Sequence, residues 1–136
     1  MCKKVNAIIE MGQDGSFDIT MEHLADYPFS VFGQGNSVEE AKEDFFNTYE
    51  EMKELMNDKG VVFEELDFEF IFDTSAFLLS LSNSFSMAGL SKITGINRKQ
   101  LGHYVQGVKK PRPATASRIQ RSVLDYAKNI ASVRFV

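Results

Sequence analysis

Much of what this sequence lacks is informative. It holds a single cysteine, Cys2, so no disulfide can close within the chain, and a reducing cytoplasmic setting is the expectation. With that one thiol and only His23 and His103 beside it, a structural zinc site is not expected. No apolar run approaches the ~20 residues that a bilayer-spanning helix requires, so no membrane association is expected. Met1–Met11 alternates instead of running apolar, which is not the core of a signal peptide. A cofactor signature is also missing. Gly33 and Gly35 echo half of a phosphate loop, but no Gly-Lys-Ser/Thr follows, and a strand-to-helix turn is their expected role.

The scarcest residue of all is acid in the second half. Residues 74–136 carry 10 Lys or Arg against one acid, Asp125, a balance of +9. Residues 1–73 carry 18 acids against 5 Lys or Arg, a balance of −13, so the overall −4 conceals two opposite halves. A nucleic-acid-binding segment joined to an acidic one has this composition. The 136 residues suffice for two small domains, and a hydrophobic fraction of 43% supplies cores for them. The expected division is an acidic domain over 1–73 and a basic one over 74–136.

In the acidic half, Val5, Ala7, Ile9 and Met11 share one phase of a period-2 pattern, as do Phe17, Ile19 and Met21. Gly12-Gln13-Asp14-Gly15 between them reads as a hairpin loop. Phe29–Phe32 reads as a third strand, ended by Gly33 and Gly35. Ser37 followed by Glu40 forms a capping box. Behind it Val38, Ala41, Phe45, Tyr49, Met52 and Met56 make one helical stripe, and Gly60 stops the helix. Leu66, Phe68, Phe70 and Phe72 alternate with polar or outward positions as a fourth strand. The order is β-β-β-α-β, an α+β layer with one helix over a mostly antiparallel sheet.

Metal-dependent hydrolysis needs several carboxylates converging within a few ångströms. Glu10, Asp18, Glu69 and Asp73 are the positional candidates, but Asp18 and Glu69 fall on the polar phase of their strands, where a solvated face is the ordinary role. Neither Cys2 nor His23 has the partners of a nucleophile or base around it. No catalytic residue is assigned.

The basic half carries the motif. Thr74–Leu81 is an apolar helix. Ser86 caps the next, with Met87, Leu90 and Ile93 facing inward. Gly95 breaks that helix, Ile96 enters the core, and Asn97 caps a third helix, Arg98–Gln106, with Leu101 and Tyr104 inward and Gly107 closing it. Small Ser91 lies where the two helices cross. The side chains left outside are those that would meet double-stranded DNA. Arg98, Lys99, Gln100 and His103 stand near the start of the third helix, the end that enters a major groove. Arg reads guanine and Gln reads adenine through paired hydrogen bonds. Lys109, Lys110 and Arg112, in a loop stiffened by Pro111 and Pro113, are suited to phosphate. Ser86 and Asn97 complete the candidate interface. Thr115 reads as the cap of a last helix with Ile119, Val123, Tyr126 and Ile130 on one face.

Leu90–Pro111 resembles the Xre/Cro-repressor type of helix-turn-helix. The first seventy-odd residues resemble the HicB antitoxin domain, a degraded ribonuclease-H-like fold, through Asp14-Gly15-Ser16-Phe17, Gly33-Gln34-Gly35 and Ser37-Val38-Glu39-Glu40-Ala41. Asp26-Tyr27-Pro28-Phe29 departs from the family's usual proline-glycine run. The resemblance implies a HicB-like domain followed by an all-α helix-turn-helix domain. It further implies an antitoxin that sequesters a small basic HicA-like ribonuclease toxin and represses its own operon by binding operator DNA. A homodimer or higher oligomer would follow from reading two half-sites. The alternative is a stand-alone transcription regulator with an N-terminal sensor domain.

Overall fold

The computed structural model describes residues 2–136, and Met1 lies outside the described residues. The chain forms two compact units, the first ending at Ala76 and the second spanning Phe77–Val136. Their junction falls inside a helix, slightly beyond the change in charge.

The first unit is built on four strands and one helix: β1 (Lys3–Met11), β2 (Phe17–Met21), β3 (Phe32–Gly35), α1 (Val38–Asp58) and β4 (Leu66–Phe72). The sheet order is β3-β2-β1-β4; the first three are antiparallel, and β4 lies parallel to β1. Alternation decides which face is covered. Val5, Ala7, Ile9, Phe17 and Ile19 are at most 1% exposed, all on the side where α1 packs. Between β1 and β2 the loop closes as a 3₁₀ turn, Gln13–Gly15, with Asp14 (φ 58°) and Gly15 (φ 77°) in the left-handed region. Gly12 stays extended.

The helix start follows its sequence signature with one change. Ser37 Oγ accepts from Glu40 N at 3.1 Å, while the Glu40 carboxylate accepts from Asn36 N at 2.9 Å, one residue before the cap. Phe45 is fully buried and meets Phe68 and Phe70 edge-on at 4.7 and 5.7 Å. Burial of such a ring is worth about 1.5–3 kcal/mol, and each edge-to-face contact about 0.5–1.5 more.

The third strand is displaced from its expected place. The strand does not run over Phe29–Phe32 and stop before the glycines; Gly33 lies inside β3 and Gly35 is its last residue. The cause is the approach of α1. A Cβ on Gly33 would stand 2.6 Å from the Ala41 carbonyl oxygen, and one on Gly35 2.5 Å from the Ala41 nitrogen. Only glycine admits the helix backbone so close to the sheet. Phe29 and Val31 keep their places in the core from irregular chain.

α2 (Thr74–Leu81) crosses the junction, and α3 (Met87–Thr94), α4 (Arg98–Val105) and α5 (Pro113–Ala131) complete the second unit. Its core is Leu78, Leu90, Ile96, Leu101, Tyr104 and Ile119, with Leu81, Phe85, Met87, Val105 and Val123 packed around them. Two expectations are corrected here. Thr94, not Ile93, takes the buried position at the end of α3: its hydroxyl donates to the Leu90 carbonyl at 2.7 Å, and its oxygen lies 3.3 Å from the Ile96 N–H. A β-branched side chain with one hydroxyl thus fills the core and stays paired. The last helix starts at Pro113, before Thr115. Proline at the first helical position has the right φ and no N–H to leave unpaired, so no side-chain cap is used.

Candidate nucleic-acid interface

Two eight-residue helices, α3 and α4, are joined by Gly95-Ile96-Asn97. Each joint has a local cause. Ser86 Oγ accepts from Gly89 N at 3.0 Å and starts α3. Gly95 ends it in the left-handed region, φ 73°. Ile96, 5% exposed, anchors the turn in the core. Asn97 Oδ1 accepts from Gln100 N at 2.8 Å and starts α4. Gly107, φ 74°, closes α4, with Gly107 N bonded to Tyr104 O at 3.1 Å and Val108 N to His103 O at 3.0 Å. A left-handed glycine with this pair of bonds satisfies the last carbonyls of a helix.

The expected site residues fall into groups with different duties. Ser86 and Asn97 spend their side-chain oxygens as caps. Arg98 and Lys99 are exposed at the first turn of α4, where the N–H groups of the helix end also face outward. Gln100 is half-buried, and its Nε2 donates to the Tyr104 hydroxyl at 2.6 Å. That bond ties the amide to a side chain one turn further along the helix. His103, also half-buried, lies one turn beyond Lys99 and Gln100 on the same side of α4. Lys109, Lys110 and Arg112 are exposed in the loop before α5.

Among the described residues, ion pairs are confined to Lys53 with Glu50 and Glu65, both in the first unit. One cation of the second unit has a structural duty with no sign in the sequence. Arg118, on α5, donates through Nη2 to the Gly95 carbonyl at 3.2 Å. The face of α5 is covered only in part: Ile119 is buried, but Tyr126 is 38% and Ile130 52% exposed. Ser132–Val136 forms no strand within the chain.

The four candidate carboxylates of the first unit lie on strands or just after one. Glu10 and Asp18 are direct cross-strand neighbours. Asp73 accepts from Ala76 N at 3.3 Å and so caps the start of α2. Glu69 stands opposite Asn6 on β1. Among the described residues no group of three or more His, Cys, Asp or Glu side chains could hold a metal ion.

Matched against protein-family models, curated proteins and solved structures, the chain finds no counterpart in any of the three. Its site must therefore be judged on its own geometry. No helix among the described residues is long and apolar enough to cross a membrane.

Proposed function

We propose that this chain is a non-enzymatic repressor and antitoxin of the HicB type. Its second unit binds operator DNA through a helix-turn-helix made by α3 and α4. Its first unit sequesters a small basic HicA-like ribonuclease toxin. The observation that carries the DNA half is the pairing of Arg98 and Lys99 at the open end of a short helix held by Gly95 and Asn97. That end of a recognition helix is the one that reaches base edges in the major groove. Lys109, Lys110 and Arg112 supply phosphate contacts beside it.

The toxin half rests on charge. A unit at −13 is repelled by DNA phosphate, yet it is tethered to a DNA reader, so its partner is a cation. An RNA-cleaving toxin needs a basic surface for its substrate, and an acidic cover competes for that surface. One recognition helix covers few base pairs, so two copies on a palindromic site are expected, joined through the uncovered part of α5 and the chain after it.

The deciding experiment is co-expression with the product of any short basic reading frame beside the gene. Growth rescue and co-purification, together with specific retardation of DNA from upstream of the pair, are the expected results. DNA binding without any such partner would leave the stand-alone regulator as the better account.

A further inference from the structure

Alternate residues of the four strands point away from α1, and the register lines them up. Phe32 pairs with Thr20, Thr20 with Ile8, and Ile8 with Ile71, so one row crosses the whole sheet. Its ends are large and open: Phe32 is 49% and Ile71 41% exposed. Acids border this row on both sides. Asp18 sits between Glu10 and Gln34 on one side. On the other, Glu69 pairs with Asn6, whose N–H also donates to Glu22 Oε1 at 3.0 Å. Lys4, opposite Asp67, is the only cation on this outward phase of the strands.

An apolar strip rimmed by one sign of charge is unfavourable in isolation. The apolar ends meet water, and like charges face each other across neighbouring strands. One kind of occupant relieves both: a surface with an apolar centre and a Lys/Arg rim. Nucleic acid is repelled by the rim. A second copy of this face, related by a two-fold axis, would set acids against acids.

We propose that this open face, centred on Ile8, Phe32 and Ile71 and rimmed by Glu10, Asp18 and Glu69, is the docking surface for a cationic protein, namely the small basic toxin. The proposal rests on the antitoxin function above and assigns it a place. Apolar burial holds the complex, while the rim speeds encounter and sets register.

The test uses the full chain and the basic product of the reading frame beside its gene. Phe32→Ser/Ile71→Ser should raise the dissociation rate about tenfold or more, since central apolar contacts govern residence. Glu10→Lys/Glu69→Lys should lower the association rate about tenfold and flatten its salt dependence. Glu43→Lys/Glu51→Lys, on the exposed side of α1, is the control and should stay within about twofold of the parent. Unchanged melting temperatures establish that the variants are folded, and Phe32→Gln alone replaces the apolar pair if that pair melts early. Unchanged binding in both sheet variants overturns the proposal and leaves the antitoxin function standing. No complex with the parent chain overturns both. A fall in solution mass of the sheet variants without any partner would show that a second copy covers this face, which also overturns it.

Discussion

Arg118 holds the turn between α3 and α4 from outside: its Nη2 donates to the Gly95 carbonyl at 3.2 Å and lies 2.5 Å from where a side chain on Gly95 would begin. The turn therefore rejects a side chain for two reasons, a φ of 73° and a guanidinium in the way. The guanidinium is the end of a flexible chain and can swing aside. Gly95→Ala should thus cost about 1–2 kcal/mol, mostly from the left-handed backbone. Adding Arg118→Ala should recover only a few tenths of that in a double-mutant cycle. Recovery of most of the loss would mean that the clash, not the backbone, is the cause. Thermal melts of the three variants measure it.

Gly95 was legible in the sequence because a break between two apolar stripes has few other uses. Arg118 was not, since nothing in its neighbourhood marks a bond across 23 residues. The same contrast runs through the first unit. The helical stripe from Val38 to Met56 and the Phe-rich alternation of β4 declared themselves through period alone. Gly33 and Gly35 misled, because a glycine needed for space looks in sequence like a glycine needed for a turn. Only the approach of the Ala41 backbone distinguishes them. At the candidate interface, the caps and the exposed cations could be placed from sequence. The bond from Gln100 to Tyr104 could not, although its i to i+4 spacing was the available signal.

Tyr49 carries the entry of β4. Its hydroxyl donates to Glu65 Oε2 at 3.0 Å and accepts from Leu66 N at 2.8 Å, in a buried place. Tyr49→Phe leaves the Leu66 N–H buried without an acceptor. The expected loss is about 1–3 kcal/mol, the cost of an unsatisfied buried donor. Denaturant melts should show this as a lower midpoint with an unchanged slope.

Beside it, the Lys53 ammonium at 3.1 Å, and then the Tyr49 hydroxyl, hold the Glu65 carboxyl below its usual value. A depressed carboxyl stabilises the fold above its unfolded value, and that contribution disappears as pH falls through the folded one. Glu65 is about half exposed, so solvent screens the pair and the effect is small. Lys53→Met should lower stability slightly at neutral pH, and the gap from the parent should close below pH 4.5, the usual carboxyl value. A gap that stays constant into acid would assign the loss to packing of the Lys53 stem on the Tyr49 ring.

On DNA, the groups at α4 should separate by duty. Arg98→Ala should cost about 1–3 kcal/mol on the preferred site and relax preference at one base pair. Lys110→Ala should weaken all sequences alike and lower the salt slope by about one. Tyr104→Phe tests the Gln100 bond. The core volume is kept, so folding should persist, but an amide freed from its anchor should discriminate less at its base. Electrophoretic titrations over a randomised site separate these outcomes. Equal preference in all three variants and the parent would remove α4 from the base-reading role.

Gly102 offers the sharpest division between folding and binding. It lies in the middle of α4 with φ outside the left-handed region, and a Cβ built there meets nothing within 4 Å. Neither conformation nor space within the chain requires glycine at this position. In a helix interior glycine is about 0.5–1 kcal/mol worse than alanine, so Gly102→Ala should raise the melting temperature. The position lies on one stripe with Lys99, His103 and Gln106, the outward side of the helix. If DNA backbone or base edges come against that stripe, the absent side chain is what lets them approach. The variant should therefore be more stable and yet bind operator DNA less tightly, by about tenfold, the equivalent of ~1.4 kcal/mol. Stability and affinity moving in opposite directions cannot arise from a damaged fold. A variant that is more stable and binds equally well would show that the outward stripe of α4 does not lie against the duplex.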